Sequence, residues 1–361
     1  MESITIAGRR IGPDSPPYII AEVSANHGGS LARAKRIVSL AAKAGADAVK
    51  FQAYTADSMT LDCDRPDFVI AGDNPWQGQR LHALYQEAAT PYDWFPALFA
   101  HAKACGIPAF ASVFGKDSIE LLERLGAPAY KIASFEAVDG ELIAACAATG
   151  KPVIISTGLC TLADIQTALD AARGGGGREI ALLRCNSAYP ADPAEANLRT
   201  IADMIARFDV PIGYSDHTVE TLPAAVAVGI GACIVEKHVI DARKPATADS
   251  SFSCLPKQLA ALVTACREAF AARGGVKYGP SKREEPSMAF RRSLYAVADI
   301  GEGETLTRHN VRSIRPGNGL PPRCLPQILG KAARRAIARG EPILDDCVAA
   351  PDNTRRIAAG R

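Results

Sequence analysis

YIIAEVSANHGGSLARAKRIVSLAAKAGADAVKFQ (residues 18–52) is the stretch that decides the fold. It opens on an apolar, β-branched run, turns through Gly28-Gly29, and enters an alanine-rich segment. It closes on a second apolar run, DAVKFQ (47–52). Ser30 stands where a helix N-cap is expected, and Gly45 stands where that helix should stop. The stretch therefore reads as strand, helix, strand. The same alternation continues through IPAFAS (107–112), PAYKIAS (128–134), PVIIST (152–157), EIALLRC (179–185), VPIGYS (210–215) and ACIVEKH (232–238). Helical stretches fall at 30–44, 91–105, 115–125, 139–148, 161–173, 195–208, 219–229 and 256–272.

Eight strands alternating with eight helices predict a (β/α)₈ TIM barrel. An open doubly wound sheet usually carries a Gly-rich nucleotide turn after its first strand. Here that turn is SANHGGS (24–30), which lacks the G-x-G-x-x-G spacing. GGGG (174–177) joins a helix to the next strand, so it belongs to the bottom face and reads as a flexible loop. SITIAGRRIG (3–12) reads as a hairpin placed to plug the barrel floor. Residues 53–90 are too long for an ordinary βα loop, and long loops on an active face are usually functional.

The character changes after about residue 275, where short strands, Gly turns and basic residues take over. The expected organisation is a barrel over 1–275, a charged linker over 276–289, a small domain over 290–350 and a disordered tail over 351–361. The net charge of +2 offers no argument for a nucleic-acid or membrane partner. MESITIAGRR lacks the layout of a signal peptide, so a cytoplasmic location is expected. The ten cysteines are scattered with no C-x-x-C pair and read as small buried hydrophobes rather than disulfides.

Catalytic groups of a TIM barrel sit at the C-terminal ends of its strands. Those ends carry Glu22, Asn26 and His27; Lys50 and Gln52; Ser112; Lys131 and Ser134; Ser156 and Thr157; Asn186, Ser187 and Tyr189; Ser215, Asp216 and His217; and Glu236, Lys237 and His238. Lys50 and Lys131 fall inside apolar strands, where an unpaired charge is costly. With hydroxyls around them they suggest an anionic ligand bearing phosphate and carboxylate; a Schiff-base lysine aldolase is the alternative. His217 and His238 lie one strand–helix–strand step apart and could share a divalent metal with open positions. Glu22, Asp216, Glu236 and Asp249 are carboxylates placed to orient ligands or act as bases. His82, His101 and His309 lie off the rim. A non-catalytic sugar-binding protein is the reading that the metal pair argues against.

IAEVSANHGGSLARAKRIVSLAAKAGADAVKFQAYT (20–55), KIAS (131–134), STG (156–158), YP (189–190), GYSDHT (213–218) and EKH (236–238) together resemble the sialic acid synthase family. RRSLYAV (291–297) and RPGNGL (315–320) resemble that family's C-terminal antifreeze-like (SAF, β-clip) domain. Residues 76–94 are more similar to its pseudaminic acid branch than to its N-acetylneuraminate branch. The resemblance implies condensation of phosphoenolpyruvate with an open-chain acetamido sugar, 2,4-diacetamido-2,4,6-trideoxy-L-altrose in the pseudaminic branch, releasing phosphate by C–O cleavage. N-acetylneuraminate or legionaminate synthesis is the alternative within the family.

It further implies manganese or magnesium on His217 and His238, with His238, Glu22, Lys50 and Lys131 catalytic. Lys50, Ser112, Lys131, Ser134, Ser156, Asn186 and Ser215 would hold phosphoenolpyruvate. Glu22, Gln52, Tyr189 and Asp249 would face the sugar. Arg315 would reach the partner's barrel in a domain-swapped homodimer. Val113, Gly115, Arg184, Val239 and the start of TADSSFS (247–253) depart from the family pattern. They are expected to flank the sugar side.

Overall fold

The computed structural model describes residues 2–349 apart from 73 and 75, and divides into two compact units, one ending at Gly274 and one beginning at Gly275. The expected tail, 351–361, lies outside the described residues.

The first unit opens with the hairpin β1 (Ile4–Ile6) and β2 (Arg9–Ile11). Eight parallel strands follow: β3 (Tyr18–Glu22), β4 (Ala48–Ala53), β5 (Ala109–Val113), β6 (Tyr130–Ile132), β7 (Val153–Ser156), β8 (Ile180–Cys185), β9 (Ile212–Asp216) and β10 (Ile234–His238). They close into a barrel in chain order, with β10 pairing back onto β3. The helices of the barrel cycle are α1 (Leu31–Ala44), α4 (Phe95–Ala104), α5 (Lys116–Arg124), α6 (Gly140–Ala147), α7 (Leu162–Gly174), α8 (Arg199–Arg207), α9 (Leu222–Ile230) and α10 (Pro256–Arg273). Two short helices, α2 (Ala56–Met59) and α3 (Leu81–Ala88), occupy the long insert after β4.

Local chemistry sets these boundaries. The Ser30 hydroxyl accepts from the Arg33 N–H at 3.2 Å and starts α1, while Gly45 ends it at φ 88°. Thr161 and Asp164 form a reciprocal capping box at the start of α7. Outward-facing strand residues pack with the helices into one continuous apolar layer. Inward-facing residues form a smaller cluster at the barrel floor, where Ile4, Ile6 and Ile11 of the hairpin seal against Tyr18, Ile20, Phe110, Ile154 and Leu183. The expected plug is present.

The glycine run has a tighter role than a flexible loop. A Cβ on Gly175 would stand 2.5 Å from the Ala144 carbonyl oxygen, so α7 ends in direct backbone contact with α6. The second unit packs its own core around Leu294, Ile300, Leu306, Val311 and Ile343, with an antiparallel pair β11 (Ser293–Ala296) and β12 (Val311–Ile314) and one short helix, α11 (Leu325–Ile328). No helix among the described residues is long and apolar enough to cross a membrane.

Candidate active site

Successive strand residues point to opposite faces, so the barrel interior is built from every second position. Near the C-terminal ends this brings together Glu22, Lys50, Ser112, Lys131, Ser156, Ser215 and Glu236, all buried. Lys50 Nζ pairs with Glu22, donates to Ser112 Oγ at 2.8 Å, and lies 3.5 Å from Glu236 Oε1. Lys131 Nζ donates to Ser156 Oγ and to the Ile132 carbonyl, each at 2.7 Å. Ser215 Oγ donates to Glu236 at 3.3 Å. Two lysines and two glutamates thus share one buried chamber.

Their protonation follows from that crowding. Burial pushes the Glu22 carboxyl up to about 7, the pull of Lys50 offsetting only part of it and Glu236 adding to the rise. Burial also pulls the Lys131 ammonium down to about 8, helped by repulsion from Lys50 and resisted by Glu236. Lys50 goes the other way: burial opposes its charge, but Glu22 and Glu236 outweigh it and keep it cationic. Glu236 is held low because Lys50, Lys131 and His217 overcome its burial.

One turn of the barrel above, His217 and His238 face each other with ring centroids 5.2 Å apart. The His217 Nδ1–H donates to the Asn186 carbonyl at 2.8 Å, which fixes the ring and leaves Nε2 as the nitrogen that could take a cation on losing its proton. His238 Nδ1 is buried without a hydrogen-bond partner, with Asp249 Oδ2 3.7 Å away. Burial, then the positive charges of His217, Lys50, Lys237 and Lys131, hold His238 well below the usual imidazole range. A neutral imidazole with an orphaned nitrogen beside a second oriented imidazole suits a divalent cation. Among the described residues no three His, Cys, Asp or Glu side chains converge to enclose one.

Above the imidazoles lies a cavity of about 960 Å³, lined by Gln52, His238, Asp249, Ser187 and Tyr189 on the barrel side. The Tyr189 ring stacks on His217 at 4.4 Å and on Phe252 at 5.1 Å. The insert after β4 supplies an apolar wall of Met59, Ile70, Trp76, Leu81, Leu84 and Tyr85. Trp76 Nε1 donates to the Ala248 carbonyl at 3.2 Å and its ring meets Tyr189 at 5.7 Å, so the insert is docked on the loop after β10.

Several expected residues sit elsewhere. Asp216 and Lys237 alternate to the outer side of the barrel and pair with each other at 2.8 Å, both fully buried, so neither faces ligand. Asn26 and His27 hold loops: Asn26 binds Ser253, Thr247 and the Val239 carbonyl, and His27 meets Thr90. The Asn186 side chain turns to the Ala188 N–H and the Glu195 carbonyl. Val113 and Val239 belong to the apolar layer behind the barrel rather than to the sugar side, because each points outward from its strand end. Among the departures from the family pattern, Ala248 does line the cavity, and so does Phe114 between Val113 and Gly115. Arg315 lies in the second unit and is exposed. Ser134 Oγ accepts from the Gly158 N–H at 3.1 Å; a Cβ on Gly158 would stand 2.2 Å from Ser187 Oγ, which explains the glycine of STG.

The profile of the NeuB family matches residues 37–278, and that of the SAF domain matches 291–349. The chain belongs to the NeuB family. Pseudaminic acid synthase of Campylobacter jejuni is 40% identical over 330 residues, which cover 91% of this chain and 96% of that protein. N,N'-diacetyllegionaminic acid synthase of Legionella pneumophila is 33% identical over 335 residues, covering 91% and 93%. Among solved structures, the N-acetylneuraminic acid synthetase of Leptospira borgpetersenii in complex with citrate is 31% identical, with a TM-score of 0.71 over 80% of this chain and 95% of that one. These NeuB-family relatives are synthases, so the chain is an enzyme.

Two contributors to the site were not singled out from sequence. Phe252 packs on both Tyr189 and His238. Glu136, two residues beyond KIAS, lines the cavity with Oε2 buried and unpartnered. Burial raises its carboxyl from 4.5 to about 7, against a backbone hydrogen bond and the pull of Lys131. A carboxyl raised on folding contributes stability in full below its unfolded pKa and loses it as pH climbs through the folded value. The native protein should therefore lose stability relative to Glu136→Gln between pH 5 and pH 8, by up to about 3 kcal/mol. Urea unfolding of both proteins at the two pH values checks this, and a gap that does not change with pH refutes it.

Proposed function

We propose that the enzyme is a transferase that condenses phosphoenolpyruvate with 2,4-diacetamido-2,4,6-trideoxy-L-altrose and water, giving pseudaminic acid and phosphate. The observation that carries this reading is the near full-length 40% identity to a pseudaminic acid synthase, against 33% to a legionaminic acid synthase. Legionaminate or N-acetylneuraminate synthesis is the second reading within the family. Schiff-base aldolase chemistry is disfavoured because the relatives that match nearly the whole chain are synthases of nonulosonic acids.

In this reading Lys50 and Lys131, with Ser112, Ser134, Ser156 and Ser215, bind the phosphate and carboxylate of phosphoenolpyruvate. The two glutamates offset much of the lysine charge, so the protonated fraction of Glu22 lets a multiply charged anion enter without stranding a second carboxylate. Asn186 orients His217 through its carbonyl. Gln52, Tyr189, Glu136 and Asp249 hold the sugar's polar groups, and the insert wall receives its 6-methyl and acetamido methyls. A divalent cation, manganese or magnesium, held by His217 and His238 supplies polarisation of the aldehyde when bound. The C2=C3 π pair of phosphoenolpyruvate forms the bond from C3 to the aldehyde carbon as the aldehyde C=O π bond opens and Glu22 delivers a proton to its oxygen, leaving C2 as an oxocarbenium. Water then adds at C2, returning a proton to Glu22; the bond from C2 to the phosphate oxygen breaks as the new C2 hydroxyl becomes the keto carbonyl, its proton leaving with the phosphate.

The cytoplasm is the proposed compartment, in keeping with ten free cysteines. The proposed assembly is a domain-swapped homodimer, in which Arg315 of one chain completes the sugar site of the other. Phe135 and Leu159, on the loops after the adjacent strands β6 and β7, are 58% and 74% exposed at the barrel mouth, an apolar rim suited to such a cap.

Phosphate release should show kcat/KM at least about tenfold higher with the altrose substrate than with N-acetylmannosamine. Trp76→Ala should narrow that ratio; faster turnover with N-acetylmannosamine rejects the proposed substrate. A chelator should abolish turnover and Mn²⁺ restore it, while His217→Ala and His238→Ala each lose at least about 100-fold with the far-UV spectrum unchanged. Near-normal activity of both variants in chelator-treated buffer rejects the metal assignment. Arg315→Ala should raise the sugar KM and leave that for phosphoenolpyruvate close to normal. Mixing it with His238→Ala should recover part of the activity, and absence of recovery between subunits shown to exchange rejects the swapped arrangement.

A further inference from the structure

The outward-facing neighbours of the two imidazoles form a network that the proposed chemistry does not use. Asp216 and Lys237 are directly opposite each other in the β9–β10 ladder, each one residue before a histidine. Lys237 Nζ donates to Asp216 Oδ2 at 2.8 Å, to the Thr218 carbonyl, and to the Glu220 carbonyl at 2.9 Å. All three ammonium protons are therefore used. Asp216 Oδ1 accepts the Thr218 N–H at 2.9 Å and the Thr218 hydroxyl at 2.8 Å.

His217 lies just past the end of β9, so no strand pairing holds it. One ammonium grips both of its neighbours instead, Asp216 by its carboxylate and Thr218 by its carbonyl. That same ammonium belongs to the residue before His238. A fully buried ion pair is poor value as a stabilising device, since its desolvation penalty can exceed the Coulombic gain. What it does supply is a fixed path for residues 216–220, keyed to the position of β10.

We propose that Lys237 and Asp216 are positioning residues that set the separation and orientation of the His217 and His238 imidazoles for a divalent cation. The inference rests on the metal reading given above. Calorimetric titration of Mn²⁺ into the full-length protein, without substrate, separates the two. Native protein should bind one Mn²⁺ and His217→Ala should not; if native protein binds none, the metal reading fails and this inference falls with it.

Given native binding, Lys237→Met should weaken Mn²⁺ by about 10- to 100-fold, the range found for groups that orient metal ligands. Lys237→Met strands Asp216 in the core and is prone to misfold, so the paired change Asp216→Leu with Lys237→Met is made alongside it. The paired variant removes the buried charges together and should keep a melting temperature near that of the native protein while remaining weak for Mn²⁺. Lys237→Arg, which keeps the charge and the donors, should recover part of the affinity. Native Mn²⁺ affinity in any folded variant lacking the ion pair overturns the proposal and leaves the network a packing feature only.

Discussion

Charges inside a barrel persist at least cost as a nearly neutral set of close opposite partners, and that constraint organises this molecule. Lys50 and Lys131 are tolerated because Glu22, Glu236 and three serine hydroxyls surround them. The same balance leaves Glu22 near neutrality and Lys131 only slightly above it. Groups poised in this way can take up or release protons when an anion enters, at little cost to the fold. The chamber is closed below by the isoleucines of the N-terminal hairpin, which exclude water from the underside. Its reactivity must therefore be directed upward, toward the imidazoles.

The period-two alternation of the strands explains both what could be read in advance and what could not. Every barrel strand was visible as an apolar run, because burial on both sides of a parallel sheet leaves a continuous apolar signal, and the helices of the cycle showed between them as alternating helical stretches. That same continuity hides which face a residue takes. Lys50 and Lys237 both lie near the ends of their strands, yet one points inward to the site and the other outward to Asp216. A rim drawn up by nearness to strand ends collected both. Phase along the strand separates them: in GYSDH and VEKH, the histidines fix the inward phase, which makes Ser215 and Glu236 interior and leaves Asp216 and Lys237 outside.

Residues beyond the strand ends carry no such phase. Asn186 reads as a ligand by position, but its amide is spent on its own loop and its carbonyl sets the His217 tautomer. Glu136 was invisible for the opposite reason: it follows a recognisable strand by several residues, and only the return of the chain brings it to the cavity. Val113 and Val239 are departures from the family pattern that lie in the outer apolar layer, where a change of size is felt as packing rather than as recognition.

The site is consequently layered by the kind of residue that each layer can conserve physically. The charged chamber depends on mutual compensation among four ionisable side chains, so altering one member disturbs the rest. The insert after β4 is under no such constraint. Its wall is apolar, it is attached through Trp76 to a backbone carbonyl, and its helices α2 and α3 are anchored by surface contacts such as His82 with Asp57 and Arg80 with Asp62 and Asp64. Contacts of that type can be rearranged without touching the ion cluster. Under the proposed function, a barrel divided in this way could keep one anion-binding floor while its wall is remodelled for different acetamido sugars, which would put substrate choice in the insert rather than in the motifs that define the family.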